Sequence, residues 1–161
     1  MNWYPVKPMP GGRPLGGLFT RLRDDPAWHC EAKIDGIRAV WEYEQLWTRT
    51  RRKLEVPDDL RRALAALTWD VPLDGELRDG VYWVFDTPDS PAPLRARRAL
   101  LAGLLRQVPE PVRLMPLATW DEVIEQDWEG CVFKRLESVY EKSTARNSTT
   151  PDWIKYRKEW L

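Results

Sequence analysis

Only two cysteines, Cys30 and Cys131, and one histidine, His29, occur in the sequence. The cysteines have neither the spacing of a metal-ligand pair nor that of a disulfide framework, so both are expected as reduced thiols without a chemical role. A lone histidine is expected at the surface or at a cap. Charge of one sign is missing too: Lys and Arg number 25, and so do Asp and Glu. That leaves no net attraction for polyanions, and any basic surface has to be local. Apolar stretches such as Ala99 to Leu105 fall far short of the roughly 20 residues that a bilayer-spanning helix needs. Met1 to Pro10 is broken by Trp3, Tyr4 and three prolines, so it lacks the continuous apolar core of a signal peptide. A cytoplasmic protein without a membrane partner is the expectation.

What is present is a globular composition. Hydrophobic residues make up 43% and charged residues 31%, which is neither a disordered nor a membrane-embedded balance. A length of 161 residues suits a single domain, 1-161, with a substantial core. The ten tryptophans are expected mostly in the core and in hairpins rather than as base-stacking platforms.

The Pro- and Gly-rich opening, 1-17, reads as an irregular arm lying over the domain. After Asp35-Gly36, the approximate alternation of Ile37 to Trp47 predicts a strand or hairpin. Leucines at helical spacing over Leu60 to Leu67, behind Asp58 and Asp59, predict a helix. Two apolar runs between Val71 and Asp86 flank Arg78-Asp79-Gly80, a tight-turn signal, and predict a second hairpin. Leu94 to Gln107 has the pattern of an amphipathic helix ended by Pro109 and Pro111. A short strand over Val112 to Leu117 comes next, then Thr119 and Glu122 form a capping-box signature. Strands over Cys131 to Leu136 and Trp153 to Tyr156, separated by a polar loop, complete the chain. The fold class expected is α+β, built on antiparallel sheets flanked by helices.

One segment, Glu31-Ala32-Lys33-Ile34-Asp35-Gly36-Ile37-Arg38, gains weight from five others downstream of it. Thr48-Arg49 comes first, then Leu73-Asp74-Gly75-Glu76, Tyr82-Trp83-Val84-Phe85-Asp86, Glu129-Gly130-Cys131-Val132-Phe133-Lys134, and Trp153-Ile154-Lys155-Tyr156-Arg157. In order and spacing this series resembles the nucleotidyl-transfer motifs of the covalent nucleotidyltransferase superfamily: ATP-dependent DNA ligases, RNA ligases and mRNA capping enzymes. The match runs from about Trp28 to Lys158.

The resemblance implies a chemistry. Lys33 would attack the α-phosphorus of ATP, expel pyrophosphate and hold AMP as a phosphoramidate. An amine attacks only when unprotonated, so a site of this kind gathers cations, here Lys155, Arg157 and a bound metal ion. Arg38 and Arg49 would grip phosphate oxygens or ribose hydroxyls. Glu76 would accept from the ribose, Phe85 would stack on the purine, and Glu31, beside Ala32, would accept from the adenine amino group and so favour ATP over GTP. Glu129 would hold Mg²⁺ or Mn²⁺ as a hard oxygen ligand, with Lys134 on a phosphate.

Arg38, Arg49, Arg51 and Arg52 would meet nucleic-acid phosphates. The substrate implied is nicked or broken DNA, with RNA as the alternative, in strand joining or repair. A non-catalytic nucleic-acid-binding accessory with a retained nucleotide pocket is the competing reading. Two departures stand out: Lys155-Tyr156-Arg157 replaces the usual Lys-x-Lys, and the sequence stops at Leu161, where the family continues into an OB-fold domain. A protein partner or separate DNA-binding domain in its place, and weak nick joining by this chain alone, are therefore expected.

Overall fold

A computed structural model describes residues 1-67 and 71-161. In chain order the elements are β1 (Tyr4–Pro5), β2 (Lys7–Pro10), α1 (Gly17–Asp24), β3 (Trp28–Lys33), β4 (Ile37–Glu42), β5 (Gln45–Thr48), β6 (Lys53–Leu54), α2 (Asp58–Ala65), β7 (Leu73–Arg78), β8 (Val81–Asp86), α3 (Leu94–Leu105), β9 (Val112–Leu114), α4 (Trp120–Glu125), β10 (Gly130–Arg135), β11 (Lys142–Ser143) and β12 (Thr149–Arg157). The class is α+β. A six-stranded sheet runs β6-β5-β4-β7-β8-β9, a four-stranded sheet runs β2-β12-β10-β3, and β1 pairs with β11. Pairing is antiparallel except at β8-β9 and β2-β12. No helix among the described residues is long and apolar enough to cross a membrane.

Local chemistry accounts for much of this. Asp79 and Gly80 take positive φ, 49° and 78°, the left-handed pair that matches strand twist in a two-residue hairpin, and Arg78 faces Val81 across it. Tyr43 and Glu44 do the same between β4 and β5, with φ of 54° and 57°, although neither residue type favours it. The capping box forms at α4: the Glu122 backbone N–H donates to Thr119 Oγ1 at 3.3 Å, and the Thr119 N–H donates to Glu122 Oε2 at 2.7 Å.

Two cores result. One lies on the four-stranded sheet, where Phe19 of α1 and Val123 of α4 pack with Phe133 and Tyr156. The other lies on the six-stranded sheet, where Leu60 and Leu64 of α2 and Leu101 of α3 cover Leu46, Leu73 and Val84. Each such leucine contributes about 1.5 to 3 kcal/mol on burial. Among the tryptophans, Trp3, Trp41 and Trp153 are buried, and Trp28, Trp83, Trp120 and Trp128 pack against the first core. Trp69 lies outside the described residues.

The opening segment departs from the expected irregular arm. Trp3 and Val6 are buried, β1 pairs with β11, and β2 forms the edge of the four-stranded sheet. Pro8 and Pro10 are tolerated because an edge strand can face away the side on which proline lacks a donor. Helix α1 carries no acidic residue in its first turn and no side-chain cap, which is why it had no sequence signature. Strand β12 is longer than the expected Trp153 to Tyr156 and shifts register between Thr150 and Ile154, around Pro151.

The link 34-36 is the feature that builds a site. Lys33 ends β3 in one sheet and Ile37 begins β4 in the other, so the lysine stands where the two sheets meet. Gly36 is required there, since a Cβ would fall 2.3 Å from the carbonyl oxygen of Leu77.

Candidate active site at the junction of the two sheets

A cavity of about 330 Å³ opens at this junction. Glu31, Ala32, Lys33, Arg38, Arg49, Glu76, Phe85, Glu129, Lys134, Lys155 and Arg157 all line it, although the chain draws them from both sheets. Its two ends differ in character.

At the cationic end, β10 runs between β3 and β12, with Gly130 facing Lys33 on one side and Arg157 on the other. Glu129, just before it, therefore sits between two cations. Lys33 Nζ donates to Glu129 Oε2 at 2.6 Å. Arg157 Nε lies 3.1 Å from Oε1, a charge contact without hydrogen-bond alignment. Burial, then the charges of Arg157, Lys33 and Lys7, lower the Lys155 ammonium below its ordinary value.

At the aromatic end, Phe85 meets Trp153 edge to face at 5.9 Å. The Lys134 ammonium lies over both rings, at 4.1 and 4.4 Å, and donates to Glu31 Oε1 at 2.9 Å. His29 Nε2 is 2.6 Å from Glu31 Oε2, and Arg98 Nη1 is 3.5 Å from it. Burial pushes the Glu31 carboxyl up, but Lys134, His29 and Arg98 outweigh it and hold it down at about 2. A buried carboxylate is tolerable only with such partners. Lys134, expected at a phosphate, is thus the counterion of Glu31, and His29, expected at the surface or a cap, contacts the same carboxylate.

Between the ends, Glu76 Oε1 accepts from the Gly36 backbone N–H at 3.1 Å. Burial raises its carboxyl to about 7, against the opposing pull of Lys33. Arg38 does not present a free guanidinium: Nε and Nη2 donate to Asp74 at 3.1 and 2.6 Å, and Nη1 donates to the Val6 carbonyl at 2.5 Å. Tyr140 Oη donates to the same Asp74 at 2.6 Å. A buried guanidinium has to satisfy its donors locally, so Arg38 lines the cavity while its hydrogen bonds are committed elsewhere.

Arg49 lies just beyond β5 rather than on a strand, and its Nη1 donates to the Arg146 carbonyl at 3.1 Å and to Asn147 at 3.2 Å. Arg51 and Arg52 do not line the cavity. Arg51 covers the Tyr4 ring at 4.0 Å and donates to its hydroxyl, while Arg52 is exposed.

No family model matches this sequence, and no curated protein matches it at the sequence level. Solved structures do. The ligase domain of M. tuberculosis LigD aligns over 97% of this chain and 59% of its own, with TM-score 0.75 and 22% identity. A mycobacterial DNA ligase D complexed with ATP and MES aligns over 98% and 60%, with TM-score 0.73 and 23% identity. The Chlorella virus DNA ligase-adenylate aligns over 95% and 69%, with TM-score 0.63 and 16% identity. The fold is that of the nucleotidyltransferase domain of ATP-dependent DNA ligases. The chain spans about 60% of the two mycobacterial ligase structures.

Within this ligase-type fold, sequence reasoning gave no part in the site to Lys7, Arg98 and Tyr140, nor to Asp74 and Trp153 beyond their place in the motifs, and it set His29 at the surface or a cap. One signal was available. His29, Glu31 and Lys33 alternate along β3 and so share a face, which becomes legible once Trp28–Lys33 is read as a strand. Lys7 had none, because its segment looked irregular. For a metal, Glu129 is the carboxylate at the cationic end, and among the described residues no three His, Cys, Asp or Glu side chains converge. A single carboxylate suits Mg²⁺ when substrate phosphates and water complete the octahedron.

Proposed function

We propose that this chain is an ATP-dependent adenylyltransferase of the DNA ligase kind, in which Lys33 accepts AMP and passes it to a polynucleotide 5′-phosphate. One observation carries the reading: a single cavity gathers a lysine amine, a carboxylate and further cations at one end, and an aromatic surface with the paired Glu31 and Lys134 at the other. Lys33 Nζ forms a bond to the α-phosphorus as the bond to the bridging oxygen breaks. The electron pair leaves on pyrophosphate and the amine proton goes to solvent. Glu129 accepts from the Lys33 amine; once it turns to other partners, the amine stands free to attack, with Lys155 and Arg157 lining the same cavity to meet the phosphate charge. Mg²⁺ or Mn²⁺ on Glu129 would neutralise phosphate charge.

At the other end, the Glu31 acceptor beside the Lys134 donor matches the amino group and ring nitrogen of adenine, and guanine's carbonyl would face the carboxylate. Phe85 supplies the stacking surface and Glu76 the ribose acceptor. Arg49, Arg51 and Arg52 then meet the phosphates of nicked DNA in the cytoplasm.

The test is intact-mass analysis after incubation with ATP and Mg²⁺. One acid-labile adenylyl group per chain is expected; no adduct with either Mg²⁺ or Mn²⁺ would overturn the proposal. Glu31→Gln should narrow the preference for ATP over GTP by roughly 10-fold or more. An unchanged ratio of labelling by the two nucleotides would remove Glu31 from base recognition.

A pH dependence arises from Glu76. Its carboxyl is raised from 4.5 to about 7 in the folded protein, so its stabilising contribution is fully present below the unfolded value and is lost as pH rises through 7. Ribose hydroxyls donate to the ionised form, so ATP affinity should rise between about pH 6 and about pH 8 by this route. Glu76→Gln should flatten that part of the profile in calorimetric titrations, leaving only the ionisation of the nucleotide itself. A profile identical to wild type would exclude Glu76 as the ribose acceptor.

A further inference from the structure

We propose that Lys7, delivered by the edge strand β2, anchors the β- and γ-phosphates of the bound nucleotide, the part that departs as pyrophosphate. This rests on the adenylyltransferase reading.

The charge distribution at the cationic end motivates the assignment. Lys7, Lys33, Arg49, Lys155 and Arg157 all line the cavity there. Glu129 is engaged by Lys33 and Arg157. Among the described residues, neither Lys7 nor Lys155 has a carboxylate within ion-pairing distance, and Arg49 touches only a carbonyl and an amide oxygen. Uncompensated like charges in one cavity repel each other unless an anion joins them. The anion required carries more charge than one phosphate, because Lys33, Glu129 and Arg157 already form a group suited to the α-phosphate.

Lys7 reaches the cavity by a different route from Lys155. In the parallel pairing of β2 with β12, Lys7 stands opposite Thr149, while Lys155 stands opposite Pro10. Three residues of strand separate the two positions, about 10 Å, so their ammonium groups approach from different places along the sheet edge. Arg49 is tethered to Arg146 and Asn147, next to the Ser148 carbonyl that accepts from the Lys7 N–H at 2.8 Å. Lys7 and Arg49 are thus held by one loop.

The backbone of Lys7 is also fixed. The Val6 carbonyl accepts from Arg38, and Trp3 Nε1 donates to Glu42 at 3.3 Å from a buried position. A cation placed in advance where charge accumulates on the leaving pyrophosphate stabilises the transition state without reorganisation.

The experiment compares binding of ATP, AMP and inorganic pyrophosphate, each with Mg²⁺, to wild type, Lys7→Met and Lys7→Arg by calorimetry, with adduct formation followed separately. Lys7→Met should weaken ATP and pyrophosphate by about 10-fold or more, the scale of one charge-assisted hydrogen bond. AMP affinity should stay within about 2-fold, and Lys7→Arg should recover most of the loss. Equal weakening of ATP and AMP, or no weakening of either, overturns the assignment. A wild-type chain that binds ATP more tightly than AMP yet forms no adduct overturns the catalytic reading alone, and the ATP-to-AMP comparison still decides Lys7. Unchanged thermal midpoints in both variants guard against a folding defect.

Discussion

With ATP and Mg²⁺, Lys33→Ala should form no AMP adduct, and transfer of AMP to DNA should fall by at least about 10³-fold. The alanine keeps β3 and its register but removes the amine that stands where the two sheets meet. Lys155 cannot substitute, since its backbone lies two strands away in the four-stranded sheet. Lys33→Arg should fail as completely, because a guanidinium stays protonated and is no nucleophile. Neither change should unfold the protein. The Lys33 side chain is 20% exposed, and Glu129 keeps Arg157 as a partner. The check is intact mass alongside a thermal melt: an adduct persisting in Lys33→Ala, with the fold intact, would move the nucleophile elsewhere.

Arg97→Met should be strongly destabilising although it lies away from the cavity. Arg97 and Asp86 are both fully buried, joined by two hydrogen bonds of 2.6 and 3.1 Å. Arg97 Nη1 also donates to the carbonyls of Ala92 and Ser138 at 2.8 Å. The guanidinium therefore ties α3 to the end of β8 and to the loop after β10. Methionine fills similar volume but leaves the buried Asp86 carboxylate with only the Thr87 N–H and takes the guanidinium donor from the Ala92 carbonyl, while Ser138 keeps the Leu94 N–H; the penalty is about 3 to 5 kcal/mol. For a chain of this size that lowers the melting midpoint by roughly 6 to 20 °C.

Burial raises the Asp86 carboxyl above its ordinary value even with Arg97 opposing it. A raised folded value means stability is greatest below the unfolded pKa and falls as pH rises. Without Arg97 that dependence steepens, so the deficit of the variant should shrink toward about pH 4. A melt indistinguishable from wild type at neutral pH would show that the pair contributes nothing net.

Local patterns made part of the fold legible. The Asp79-Gly80 turn, the capping box at Thr119 and the leucine spacings of α2 and α3 are contained within a few residues, and each formed where it was expected. The β4-β5 turn through Tyr43 and Glu44 carried no such signal, because the flanking strands impose its left-handed conformation. Helix α1 and the β2 pairing were equally silent, since their stability comes from packing and from main-chain donors on β12.

The sequence by itself determined which chemical groups this protein possesses and the order in which they come, so the motif series and the α+β class could be read without coordinates. Only the tertiary structure decided what each group faces. Lys33 and Glu129 are separated by 96 residues, and Glu31 and Lys134 by 103. Strand register brings each pair into contact. The commitment of Arg38 to Asp74, the capture of Lys134 by Glu31 and the entry of Lys7 into the cavity arise because buried charges must find counterions and buried donors must find acceptors. Which partner satisfies that demand depends on how distant strands align, and no stretch of local sequence encodes it.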